Sequence, residues 1–190
     1  MYGEHRIKAS VGGCPSASPK LDTWGRKLRF ALPNTVYLSL GSNVGDRAGN
    51  SRDAIRRLRA LGKILQISSF YETEPVEFTA QPWFLNCAVE LETEETAAEL
   101  MAHILEIEQQ MGRKRTQKKG PRSIDIDILL FGDSTVEGKG LTVPHPALHK
   151  RRFVLEPLAE IASEVRHPLL KQNIRELLEA LPRGQAVRKT

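Results

Sequence analysis

The chain has 190 residues, 40% hydrophobic and 27% charged, which is enough apolar mass for one buried core and too polar for a protein made mainly of membrane spans. Lys and Arg outnumber Asp and Glu by 28 to 23, a formal net charge of +5 that calls for an anionic partner without choosing among nucleic acid, lipid headgroup and nucleotide phosphate. No run nears the ~20 consecutive apolar residues of a spanning helix, the N-terminal stretch lacks the apolar core of a secretory leader, and two cysteines give neither a disulfide framework nor zinc-ligand spacing, so a cytoplasmic protein with reduced thiols is expected.

Residues 1–33 mix Gly, Ser, Pro and Lys with no sustained hydrophobic period and read as a flexible N-terminal arm that carries Cys14. A domain is expected over 34–182, with 183–190 as a C-terminal tail. Val36 to Leu40 alternates and ends at Gly41-Ser42-Asn43, a strand running into a turn. Asp46 is placed to cap a helix in which Ile55, Leu58 and Leu61 share one side, Arg52, Arg56 and Arg59 meet water, and Gly62 is the stop. Ile64 to Glu72 reads as the next strand, broken by Thr73-Glu74-Pro75.

Phe84 to Glu92 alternates again, with Leu85, Cys87, Val89 and Leu91 on one face. Thr96-Ala97-Ala98-Glu99 fits a capping box, after which Leu100, Ile104, Ile107 and Met111 recur at helical spacing up to Gly112. Ser123 to Phe131 is the fourth clear strand, and Ile174, Leu177, Leu178 and Leu181 predict a late helix closed by Pro182. The order strand, helix, strand, strand, helix, strand predicts an α+β fold with a ferredoxin-like βαββαβ core, its helices packed on a largely antiparallel sheet.

Asp125 and Asp127 are the most informative residues. Alternation sends Ile124, Ile126 and Ile128 to one face and both carboxylates to the other, their Cα atoms roughly 6 to 7 Å apart. Carboxylates so placed can share a pair of hard cations and leave the remaining coordination to water and phosphate oxygens, which suits magnesium and a polyphosphate. A solvated strand face would also carry an Asp-x-Asp pattern, but here Arg113, Lys114, Arg115, Lys118, Lys119 and Arg122 lead directly into it with no acidic residue between. A cationic loop beside a divalent-metal site can clamp a triphosphate and exclude water.

The run from Lys118 through Gly120-Pro121-Arg122-Ser123-Ile124-Asp125-Ile126-Asp127-Ile128 to Leu129 closely resembles the signature of the 6-hydroxymethyl-7,8-dihydropterin pyrophosphokinases. Leu40-Gly41-Ser42-Asn43, Gln81-Pro82-Trp83-Phe84-Leu85-Asn86 and Leu141-Thr142-Val143-Pro144-His145-Pro146 resemble further blocks of that family, in the family's order. The resemblance implies transfer of pyrophosphate from ATP to the hydroxymethyl group of a reduced pterin, with AMP released. It implies that Asp125 and Asp127 hold two magnesium ions, that Arg113, Arg115 and Arg122 bind phosphates, and that Glu108, His145 and Arg151 serve the nucleotide side. It further implies that Phe84 and Phe153 sandwich the pterin, with Asn86 on its edge and the loop around Thr73 and Val76 offering main-chain partners. A monomer acting on small molecules, with neither nucleic acid nor membrane as partner, is the expected state.

Two positions depart from the family's pattern. Lys119 stands where many relatives carry an aromatic residue, and Phe84 where tyrosine is common. Two other readings remain open from sequence: a nucleic-acid-binding module using the arginine-rich loop, for which Asp125 and Asp127 would be repulsive, and a nucleotidyl-transfer domain, which would release pyrophosphate rather than AMP.

Overall fold

The computed structural model describes residues 32–76, 79–113, 120–138, 140–182 and 184–190. Almost all of the expected arm, Cys14 included, lies outside them, and so does most of the basic loop with Arg115. In chain order the elements are β1 (Asn34–Ser42), α1 (Arg47–Leu58), β2 (Lys63–Ile67), β3 (Tyr71–Thr73), β4 (Phe84–Thr93), α2 (Ala97–Gln110) and β5 (Asp125–Phe131). There follow β6 (Val136–Gly138), β7 (Leu141–Val143), α3 (Arg152–Ala162), α4 (Ile174–Ala180) and β8 (Val187–Lys189).

The main sheet has the order β5-β1-β4-β3-β8, with β2 also on β4, and every pairing in it is antiparallel. Counting β2 and β3 as one interrupted strand gives the βαββαβ core with its fourth strand beside the first, the α+β ferredoxin-like arrangement expected from the element order. Alternation along the strands divides the core in two. Val36, Leu38, Leu40, Cys87, Val89, Leu91, Ile126 and Ile128 pack against α1 and α2, while Tyr37, Ala88 and Leu130 face Val154, Leu155 and Leu158 of α3 and Ile174 and Leu177 of α4. Helices therefore cover both faces of the sheet.

Local chemistry explains most boundaries. Asp46 caps α1 by accepting the Gly49 N–H at 2.9 Å, and the Thr96–Glu99 capping box opens α2. The strand expected over Ile64 to Glu72 is split because Ser68 leaves the regular ladder: its hydroxyl accepts the Ala88 N–H at 2.9 Å and its own N–H donates to the Ala88 carbonyl at 2.9 Å. Helix α3 was not anticipated. Its N-cap residue makes no side-chain capping bond and Pro157 lies inside it, so neither the usual start signal nor an unbroken helical run is present. Residues expected as a tail beyond 182 supply β8, which pairs with β3 through Tyr71↔Lys189, Glu72↔Arg188 and Thr73↔Val187.

Candidate active site

Sheet register lays out the floor of a cavity on the α3 face. Asp125 of β5 pairs with Gly41 of β1, Gly41 pairs with Asn86 of β4, and Asn86 pairs with Tyr71 of β3. Paired residues of antiparallel strands point to the same face, so Asp125 and Asn86 flank the side-chain-free Gly41 at two strand spacings, roughly 10 Å. One register step along, Asp127 lies opposite Ser39. An ideal Cβ at Gly41 would meet Asn86 Oδ1 at 2.5 Å, so only glycine lets that amide lie across β1.

A cavity of about 520 Å³ opens above this floor. At one end it is lined by Arg113, Arg122, Asp125, Asp127, His145 and Arg151, and at the other by Thr73, Val76, Phe84, Asn86 and Phe153. Eleven of the thirteen expected site residues thus share one cavity. Of the other two, Arg115 lies outside the described residues, and Glu108 lies beneath the floor, 2% exposed. Glu108 accepts the Ile126 N–H at 2.8 Å, satisfying a donor on the outer edge of β5, and also holds the Arg113 guanidinium.

Charge is balanced tightly at the acidic end. Arg113 contacts Asp125 Oδ1 at 2.6 Å and Arg122 contacts Oδ2 at 2.8 Å, both partly buried. Burial first, and then the charge of Asp125, push the Asp127 carboxyl up to about 6, against the pull of Arg151, Arg122 and Arg113. Burial, and then Arg151, lower His145 to about 4, so its ring is neutral at neutral pH. The Ala147 N–H donates to His145 Nδ1 at 3.2 Å, which leaves the ring proton on Nε2.

The two ends touch through stacking, with the Arg122 guanidinium 5.2 Å from the Phe84 ring centroid and that of Arg151 5.6 Å from Phe153. At the apolar end Asn86 donates to Thr73 Oγ1 at 2.6 Å, which fixes the orientation of its amide.

The donor set fits magnesium. Among the described residues no group of three or more His, Cys, Asp or Glu side chains is arranged to hold a metal, so an ion here would take two carboxylates and complete its octahedron with water and phosphate, as magnesium prefers. Burial and the neighbouring Asp125 charge, which hold the Asp127 proton up to about 6, also make a cation placed between the two carboxylates favourable.

Some contributors carried no sequence assignment. Asn43 binds both neighbours of the cavity: its Oδ1 accepts the Arg122 N–H at 2.8 Å, and its Nδ2 donates to Gln81 Oε1 at 3.0 Å and to the Pro82 carbonyl at 3.2 Å. Its place in the Leu40 to Asn43 block was the available signal. Arg47 ties Glu72, at 2.6 Å, to the Trp83 carbonyl, at 3.0 Å, and Lys150 lines the cavity; neither belongs to a pattern that marks it.

A sequence profile described as 7,8-dihydro-6-hydroxymethylpterin-pyrophosphokinase (HPPK) matches residues 37–163. The 2-amino-4-hydroxy-6-hydroxymethyldihydropteridine pyrophosphokinase of Bacillus subtilis is 45% identical over 136 residues, covering 70% of this chain and 81% of that protein. The folic acid synthesis protein fol1 of Schizosaccharomyces pombe is 41% identical over 155 residues, 80% of this chain but only 21% of that longer protein. A Plasmodium falciparum HPPK-DHPS structure with pterin and p-hydroxybenzoate superposes with a TM-score of 0.64 at 19% identity, covering 80% of this chain and 42% of that one, a likeness of fold. With the profile spanning most of the described domain, the chain belongs to the 7,8-dihydro-6-hydroxymethylpterin-pyrophosphokinase family.

Proposed function

We propose that this cavity carries out the family's reaction: pyrophosphoryl transfer from ATP to 6-hydroxymethyl-7,8-dihydropterin, giving AMP and the pterin diphosphate used in folate synthesis. The hydroxymethyl oxygen forms a bond to the β-phosphorus. The bond from that phosphorus to the oxygen bridging the α-phosphorus breaks, AMP leaves with the bridging oxygen, and the alcohol's proton is released. The observation that carries the reading is the single floor on which Asp125 and Asp127 stand at one end and Asn86 at the other, with Gly41 between.

Asp125 and Asp127 would hold two magnesium ions, which when bound neutralise and align the phosphate oxygens. Arg113, Arg122 and Arg151, with Arg115 from the loop, bind the triphosphate and stabilise charge that builds on the transferring group. Neutral His145 offers its Nε2–H to a phosphate oxygen. Glu108 acts through Arg113, whose guanidinium it aims. Phe84 and Phe153 stack on the faces of the pterin, Asn86 bonds its pyrimidine-like edge, and the main chain around Thr73 and Val76 completes the slot. The protein acts as a monomer in the cytoplasm on small molecules, without nucleic acid or membrane.

The test is product analysis with purified protein, Mg-ATP and the reduced pterin. AMP formed in step with pterin consumed is expected, and Asp127→Ala should lower that rate by at least about a thousandfold, the scale of losing one main source of transition-state charge stabilisation. Release of inorganic pyrophosphate, or AMP formation indifferent to pterin, would defeat the proposal.

A further inference from the structure

Helix α3 carries Phe153 in its first turn, where backbone N–H groups have no carbonyl partner within the helix and a Ser, Thr, Asp or Asn at the N-cap usually takes one. The N-cap position is instead held by Arg151, which makes no side-chain capping bond and lines the cavity. The cap comes from far along the chain: the Phe153 N–H donates to Gln185 Oε1 at 3.3 Å. The other end of the same amide donates from Nε2 to the Glu74 carbonyl at 2.9 Å, in the loop that follows β3 and lines the cavity. Around it the Glu74 N–H donates to the Ala186 carbonyl at 3.1 Å, and Val187 pairs with Thr73.

From this cross-link we infer that Gln185 is a positioning residue for the pterin half of the cavity, setting the separation between Phe153 and the 74–76 loop. A primary amide suits the task because one group must accept from one wall and donate to the other. The arrangement also explains how an arginine can occupy a helix N-cap: the capping duty has moved to the C-terminal segment, and position 151 is given to the nucleotide end. This inference rests on the reading that Phe153 stacks on the pterin.

The test compares wild type with Gln185→Ala and Gln185→Glu in steady-state kinetics for both substrates, with Tm and pterin binding by fluorescence in the absence of ATP. Gln185→Ala should raise the pterin KM and Kd about fivefold or more, the effect of losing one net hydrogen bond or more, and leave kcat and the ATP KM within about twofold. Gln185→Glu keeps the acceptor for Phe153 but turns a carboxylate oxygen toward the Glu74 carbonyl, so its Tm should stay near wild type while pterin affinity remains weak. An unchanged pterin KM in Gln185→Ala, a parallel loss in both substrates and kcat, or full recovery in Gln185→Glu would each overturn the assignment. Wild type without pterin-dependent AMP release would instead defeat the catalytic reading, and this one with it.

Discussion

Gly41 shows how one atom's absence can organise a site. Its missing Cβ leaves room for Asn86 Oδ1, and Asn86 cannot retreat without giving up its 2.6 Å bond to Thr73. Gly41→Ala should cost on the order of 1–3 kcal/mol in denaturant unfolding, as overpacking does, and should raise the pterin KM far more than the ATP KM. Equal changes in both would mean that Asn86 does not read the pterin. His145 gives a second test at this scale. Its ring takes a proton near pH 4 in the folded protein against an ordinary value of 6.5, so its stability contribution is complete above about pH 6.5 and is lost as pH falls toward 4, while the unfolded chain binds a proton the folded one refuses. NMR titration should find the His145 midpoint near 4; a midpoint at the ordinary 6.5 would mean that burial and Arg151 do not hold the ring neutral and that it charges at mildly acidic pH. The shared face of the carboxylate pair was legible from alternation, because period-two geometry is local, whereas its reading as a metal site needed the basic run from Arg113 to Arg122 and the family resemblance. Asn43 was marked only by its place in the Leu40 to Asn43 block, and Arg47 and Gln185 by nothing, since each works through backbone groups brought near only by folding.

Among the elements, those with a strong internal pattern were readable: β1, β4 and β5 by alternation, α1 and α2 by apolar spacing and their Asp46 and Thr96 caps. The elements that escaped depend on distant partners. Helix α3 is stabilised by burying Val154, Leu155 and Leu158 on the sheet and by a cap from Gln185, which together outweigh Pro157. Strand β8 is only three residues long and exists because β3 offers an open edge. It is further fastened by Glu160 of α3, which contacts Lys189 Nζ at 3.2 Å and accepts from the Tyr71 hydroxyl at 2.8 Å. The break between β2 and β3 likewise depends on what Ser68 finds opposite it, namely Ala88, and no feature of the Ile64 to Glu72 run announces it.

For the molecule as a whole, the sheet separates a charged end from an apolar end of the same cavity, and the two should answer differently to salt. The chain carries a net charge of +5, and Arg113, Arg122 and Arg151 gather about Asp125 and Asp127 at the end proposed for the triphosphate. Attraction of an anionic nucleotide to that end is screened as the Debye length shrinks, whereas a neutral pterin held by stacking and hydrogen bonds feels little of it. Raising NaCl from about 0.05 to about 0.5 M, which shortens the Debye length from roughly 14 to roughly 4 Å, should therefore raise the ATP KM severalfold and leave the pterin KM within about twofold. The same titration weighs the nucleic-acid reading, because a phosphate-backbone binder would lose RNA affinity steeply over this range and RNA would compete with ATP at low salt. If both KM values rose together, salt would be acting on the fold or on a shared wall, and the division of the cavity into a nucleotide end and a pterin end would fail.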